Sequence, residues 1–133
     1  MLTRLNRKHT GFTLVEIMIV VAIIALLAAI AVPGSLRARK RSQASRILND
    51  LRMIDAAVDQ YAIETNRSSG NVVAIADWTN YLKKNTSLYN TGNSLLGSSY
   101  GAQTVDTIPR VPTNDYNALS DVASTGFWSP YGP

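Results

Sequence analysis

The stretch from Phe12 to Val32 constrains this chain more than any other feature. Glu16 is its only charge, and Ile17–Val32 is apolar without interruption. As a helix it would rise about 31 Å, the thickness of one hydrocarbon core. Its Ala, Leu, Ile and Met residues favour helix. The segment is apolar on every side, and a chain of 133 residues has no soluble core large enough to surround it. A membrane span or the centre of a helix assembly is left. Pro33-Gly34 closes the run. Proline has no N–H to donate to the preceding turn, so a kink or break is expected there.

Charge is segregated along the chain. Residues 1–11 carry Arg4, Arg7 and Lys8 and no acid. Residues 37–52 carry six basic side chains against Asp50 alone, a net of +5, whereas residues 53–133 carry four basic and seven acidic ones, a net of −3. The formal charge of +4 therefore comes from short basic blocks and not from a basic fold. A nucleic-acid partner would need a basic face on the folded part, so none is expected. The absence of cysteine removes disulfides, thiolate metal sites and thiol catalysis. The single histidine, His9, lies in the basic N-terminal tail, away from any folded site. No P-loop, HExxH, GxGxxG or nucleophile–base set is present, so neither an enzyme nor a resident cofactor is expected.

Three readings of the N-terminal segment compete. An export signal would have a basic start, an apolar run and a cut after Ala31 in Ala29-Ile30-Ala31, leaving a secreted or anchored binding module. A plain anchor would leave Glu16 as an unexplained expense inside the membrane. The third reading uses the carboxylate. Lys8-His9-Thr10-Gly11-Phe12-Thr13-Leu14-Val15-Glu16, followed by the apolar run and Pro33, resembles the prepilin signature of type IV pilins and type II secretion pseudopilins.

The resemblance covers about residues 7–34 and implies several things together. A prepilin peptidase would cut between Gly11 and Phe12, removing residues 1–11, and the new amine on Phe12 would be methylated. Glu16 would be the glutamate that sets subunit register, and Pro33 and Gly34 the helix kink. The chain would be a single-pass protein of the bacterial inner membrane, with a periplasmic or extracellular head. It would assemble into a homo-oligomeric filament through a membrane platform and its ATPase. Physical chemistry agrees on Glu16: a buried carboxylate needs a partner, and an amine four residues earlier lies about 6 Å along a helix. A pair with a neighbour's amine would fix axial register, as one polar group does in a coiled-coil core. Positive-inside counting, with +3 before the run and +5 just after it, does not itself favour this orientation. The Arg37–Arg41 cluster would face anionic lipid or neighbouring acids.

After Pro33-Gly34 the pattern becomes amphipathic. Ala44, Ile47, Leu48, Leu51, Ile54, Ala57, Val58, Tyr61 and Ala62 recur at steps that place them on one helical stripe, predicting a helix over 35–65. Residues 12–34 form the membrane or filament-core half. Over 66–133, Gly, Ser, Thr, Asn and Pro fill half of the positions, predicting a small loop-rich head. Within it, Asp77–Lys84 reads as a short helix capped by Asp77. Gln103–Val111 and Asp121–Trp128 read as strands. Trp78, Tyr81, Ile108, Val111 and Trp128 are the candidates to cover the stripe. The expected class is α+β: a long helix, kinked near Pro33, packed on a small antiparallel sheet, as in pilin-like heads.

Asp106, Asn114, Asp115, Asn117 and Asp121 lie in loop-rich sequence and offer hard oxygen ligands. Asp106, Asp115 and Asp121 are thus candidate calcium ligands, set against ordinary Asx turns. Major pseudopilins resembling this chain carry calcium in that region, but Trp128-Ser129-Pro130-Tyr131 echoes their Trp-Gly-x-Pro-Tyr stretch only loosely. The cysteine pair of many major pilins is not matched, and the short cysteine-free head leans to the secretion type.

Overall fold

The computed structural model describes residues 11–133. Residues 1–10 of the expected leader, with His9, lie outside them. One long helix, α1 (Leu14–Thr65), leads into β1 (Val72–Val73), α2 (Ile75–Thr79), α3 (Ser87–Thr91), β2 (Gln103–Thr104), α4 (Thr113–Ala118) and a 3₁₀ turn at Thr125–Trp128. The chain divides into two units, one ending at Leu36 and one running from Arg37 to Pro133.

In the first unit, Pro33 is a helical residue and not a terminator. Of the kink or break that Pro33-Gly34 allows, a break is absent, and the helix runs on as the one long helix expected. A lost N–H leaves one carbonyl unpaired, and good helix formers, Ala28, Ala29 and Ala31 before it and Leu36 to Arg41 after it, carry the helix past Pro33-Gly34.

The second unit has its own core. The buried residues of its helical part are Ala44, Ile47, Leu51, Ile54, Ala57, Val58 and Ala62, the stripe read from spacing, with Leu48 and Tyr61 half-buried at its edges. The rest of the chain lays Val73, Trp78, Leu88, Tyr100, Val105, Val111, Leu119, Ala123, Trp128 and Tyr131 over that stripe. Trp78 and Trp128 are fully buried. Ile108, expected in the core, is 49% exposed.

The sheet is antiparallel and minimal, with Val72 opposite Thr104 and Val73 opposite Gln103. Strand β1 is too short to leave a period in the sequence. Gln103–Val111 is a strand only at its first two residues. Thr107 N–H donates to the Thr104 carbonyl at 3.1 Å and Asp106 takes a positive φ of 60°. The backbone turns there, which carries Ile108 out to solvent.

Asp121–Trp128 forms no strand. The Val122 and Ala123 N–H groups fold back on the Leu119 carbonyl before the 3₁₀ turn begins. Asp77 is not a cap either. Helix α2 starts two residues earlier, after Ala74, and Asp77 sits in its first turn, where its charge suits the helix dipole. Lys83 and Lys84 lie beyond the helix.

Candidate functional site

The first unit offers an apolar surface and one carboxylate. Every large apolar side chain from Phe12 to Leu36 is at least 52% exposed. The helix is the one element among the described residues long and apolar enough to cross a membrane, with a window of mean hydropathy 3.0.

Glu16 stands at its start. The Thr13 N–H donates to Glu16 Oε2 at 2.9 Å, and the Glu16 N–H donates to Thr13 Oγ1 at 3.2 Å. This is a reciprocal capping box, and the Thr-x-x-Glu spacing in the sequence is its signature. It fixes the helix start two residues after Phe12. Glu16 therefore has two acceptor oxygens at the positive end of the helix, one of them already engaged by its own backbone. Gly11 and Phe12 precede the helix in exposed backbone, and the Phe12 side chain is 86% exposed.

The second unit binds its helical part to the rest through polar contacts around the core. Three tyrosine hydroxyls donate to three helix carboxylates: Tyr100 to Asp50 at 3.1 Å, Tyr131 to Asp55 at 3.4 Å and Tyr81 to Glu64 at 2.6 Å. Burial raises Asp50 above the usual carboxylate range, against the Tyr100 hydrogen bond and Arg46, which pull it down. Asp55 is raised too, by burial first and then by the like charge of Asp59. Burial and the neighbouring Asp50 push the Tyr100 phenol well above its ordinary value.

The basic block after Gly34 is partly spent inside the unit. Lys40 pairs with Asp121 at 2.9 Å, and this hydrogen bond holds Asp121 below the usual range. Arg41 donates to the Val122 carbonyl at 3.0 Å, and its guanidinium lies 5.3 Å from the Phe127 ring centre. Long-range charge pairing of this kind has no local sequence signal.

The three candidate calcium ligands are not brought into one ligand set. Among the described residues no group of three or more His, Asp or Glu side chains is placed to hold a metal ion. Asp121 is engaged by Lys40 and Asp106 is on an exposed turn. Asp115 is buried, and its Oδ1 accepts the Ser98 hydroxyl.

A family model described as the prokaryotic N-terminal methylation motif matches residues 6–32. The chain carries this motif. Curated relatives align over about half of the chain. The type IV major pilin protein PilA of Myxococcus xanthus is 42% identical over 50% of this chain and 30% of its own length. The type IV wide pilus major component PilA4 of Thermus thermophilus is 39% identical over 52% and 53%. The type II secretion system core protein G of Aeromonas hydrophila is 31% identical over 47% and 43%. The chain thus spans about half or less of the length of these relatives. No solved structure matches it. The α+β arrangement of a long N-terminal helix and a small antiparallel sheet is the one the resemblance implies.

Proposed function

We propose that this chain is a structural subunit of a type IV pilus-like filament or type II secretion pseudopilus. The observation that carries the reading is the exposed apolar helix with a single carboxylate at its start, lying within the methylation motif. In one copy this surface has nothing to cover it. Lipid covers it before assembly and sister helices cover it afterwards, with packing and a polar pair supplying the specificity that apolarity cannot.

The processing reading follows from the motif. A prepilin peptidase cuts between Gly11 and Phe12, and the Phe12 amine is methylated. The cut places a cation beside the helix start, where Glu16 keeps an oxygen outside the capping box. The amine of a neighbouring copy is the partner that offsets the cost of burying Glu16. An inner-membrane platform and its ATPase drive assembly, and the chain itself performs no chemistry.

Mass spectrometry of the mature N-terminus, on protein from its own membrane, tests the reading. A start at methylated Phe12 is expected. A start at Val32 overturns it and leaves a secreted module.

A further inference from the structure

The second unit's helix carries charge in two blocks related by one spacing. Arg37, Arg41 and Arg46 stand in the first, and Asp55, Asp59 and Glu64 in the second. Asp55 follows Arg37, Asp59 follows Arg41 and Glu64 follows Arg46 at one and the same separation. That separation is about five helical turns, so both members of a couple share an angular position and differ by about 27 Å of axial rise. No other offset between the bases and acids of residues 37–65 matches more than two couples.

Inside the chain none of these six side chains forms an ion pair, and Arg46 and Arg37 act only at longer range, on Asp50 and Asp121. Among the described residues the one ion pair is Lys40–Asp121. Asp55 and Glu64 accept hydrogen bonds from tyrosines, which satisfy their oxygens and leave their charge. The Arg41 bond to the Val122 carbonyl likewise uses a donor and leaves the charge. Arg46 is one turn from Asp50 and forms no ion pair with it. Arg37 with Arg41, and Asp55 with Asp59, set like charges four residues apart, which works against an isolated helix. A neighbour that supplies the opposite charge removes that penalty.

We propose that the two blocks set register between copies of this chain. The basic block of one copy lies level with the acidic block of a parallel neighbour displaced by about 27 Å. The inference rests on the filament reading above. Copies inserted by the same apolar end point the same way, so their helices are parallel. Parallel copies at zero offset set Arg level with Arg and Asp with Asp. At the shared offset three opposite couples come level. Arg46 lies about half a turn around the helix from Arg37, so the couples occupy both flanks of the face the core leaves open. Salt screens such contacts beyond about 8 Å, so a copy displaced by a few turns loses them.

The test is assembly of the full chain in its own membrane, read as the yield of sheared filaments. Reversing the basic block with Arg37→Glu and Arg46→Glu is expected to lower the yield about tenfold or more. Adding Asp55→Arg and Glu64→Arg, at the partners of those two bases, to the same chain is expected to restore most of it. Asp55→Asn and Glu64→Gln, made singly, control for the Tyr131 and Tyr81 hydrogen bonds and are each expected to assemble. Fluorescence of the buried Trp78 and Trp128 checks that each variant folds. If a reversed chain does not fold, Arg37→Gln with Arg46→Gln decides by the same criterion. Undiminished yield on reversal overturns the inference. Loss without restoration also overturns it, and assigns the basic block to anionic lipid headgroups. The filament reading fails separately, if the natural sequence yields no filaments, and the inference falls with it.

Discussion

Replacing Tyr100 with Phe removes one hydroxyl from the boundary between helix and head, and its cost follows from the geometry. Tyr100 is 7% exposed and donates to Asp50 Oδ2 at 3.1 Å. A hydrogen bond to a charged acceptor contributes about 1.5–3 kcal/mol, and a buried acceptor left without it bears the desolvation penalty. Asp50 is only half-buried, so water can replace part of the loss, which places the expected cost near the lower bound, about 1.5 kcal/mol. For a domain of this size that is a fall of about 6–12 °C in Tm. The sign of the pH dependence is fixed as well. Burial already raises Asp50, and removing the hydroxyl raises it further because that bond opposes the shift. A carboxylate raised in the folded state binds protons more tightly there than when unfolded. Stability tied to it is full below the unfolded value and is lost as pH rises through the folded one. The Tyr100→Phe deficit should therefore be smallest below about pH 4 and grow toward neutrality. The assay is thermal unfolding of the full chain in detergent, followed through the buried Trp78 and Trp128, with Asp50→Ala and the double variant completing a cycle. If Tyr100→Phe costs as much in the Asp50→Ala background as in the natural chain, the coupling is zero and the reasoning is refuted.

Leu51→Ala, at a fully buried position of the helix stripe, should cost about 2–5 kcal/mol in a urea titration, with an unchanged slope against denaturant. Gly92→Ala should destabilise by about 1–3 kcal/mol, because φ is 64° at this helix C-cap and the new Cβ would meet Ile75 Cγ2 at 2.5 Å. An unshifted melting curve for that variant would show that the turn relaxes freely. Glu16→Leu should leave membrane insertion and the start at Phe12 intact while abolishing filaments on electron micrographs. Filaments at the natural yield would remove Glu16 from the assembly mechanism.

The apolar run, the Gly-Phe junction and the helix stripe are legible in the sequence because each is a local pattern. Periodicity places Ile47, Leu51, Ile54 and Val58 on one face whatever covers them. A span of uninterrupted apolar residues has few physical outcomes. The capping box is local as well, and Thr13-x-x-Glu16 spells it out beneath the louder membrane signal. The continuous long helix through Pro33 is legible too, because one proline removes a single N–H and long helical flanks can carry that loss.

What covers the stripe is decided only by the fold. Half of residues 66–133 are turn formers, and turn-rich sequence permits many closures. The positive φ at Asp106 ends β2 and exposes Ile108, and β1 exists only because Gln103–Thr104 comes to meet Val72–Val73. The tyrosine clasps on Asp50, Asp55 and Glu64 and the pair between Lys40 and Asp121 join side chains far apart in sequence. Sequence alone determines that this chain has an apolar helix needing a membrane or its own copies. Tertiary structure decides which charges are consumed within one copy and which are left for a neighbour, because only folding brings distant side chains within hydrogen-bonding reach.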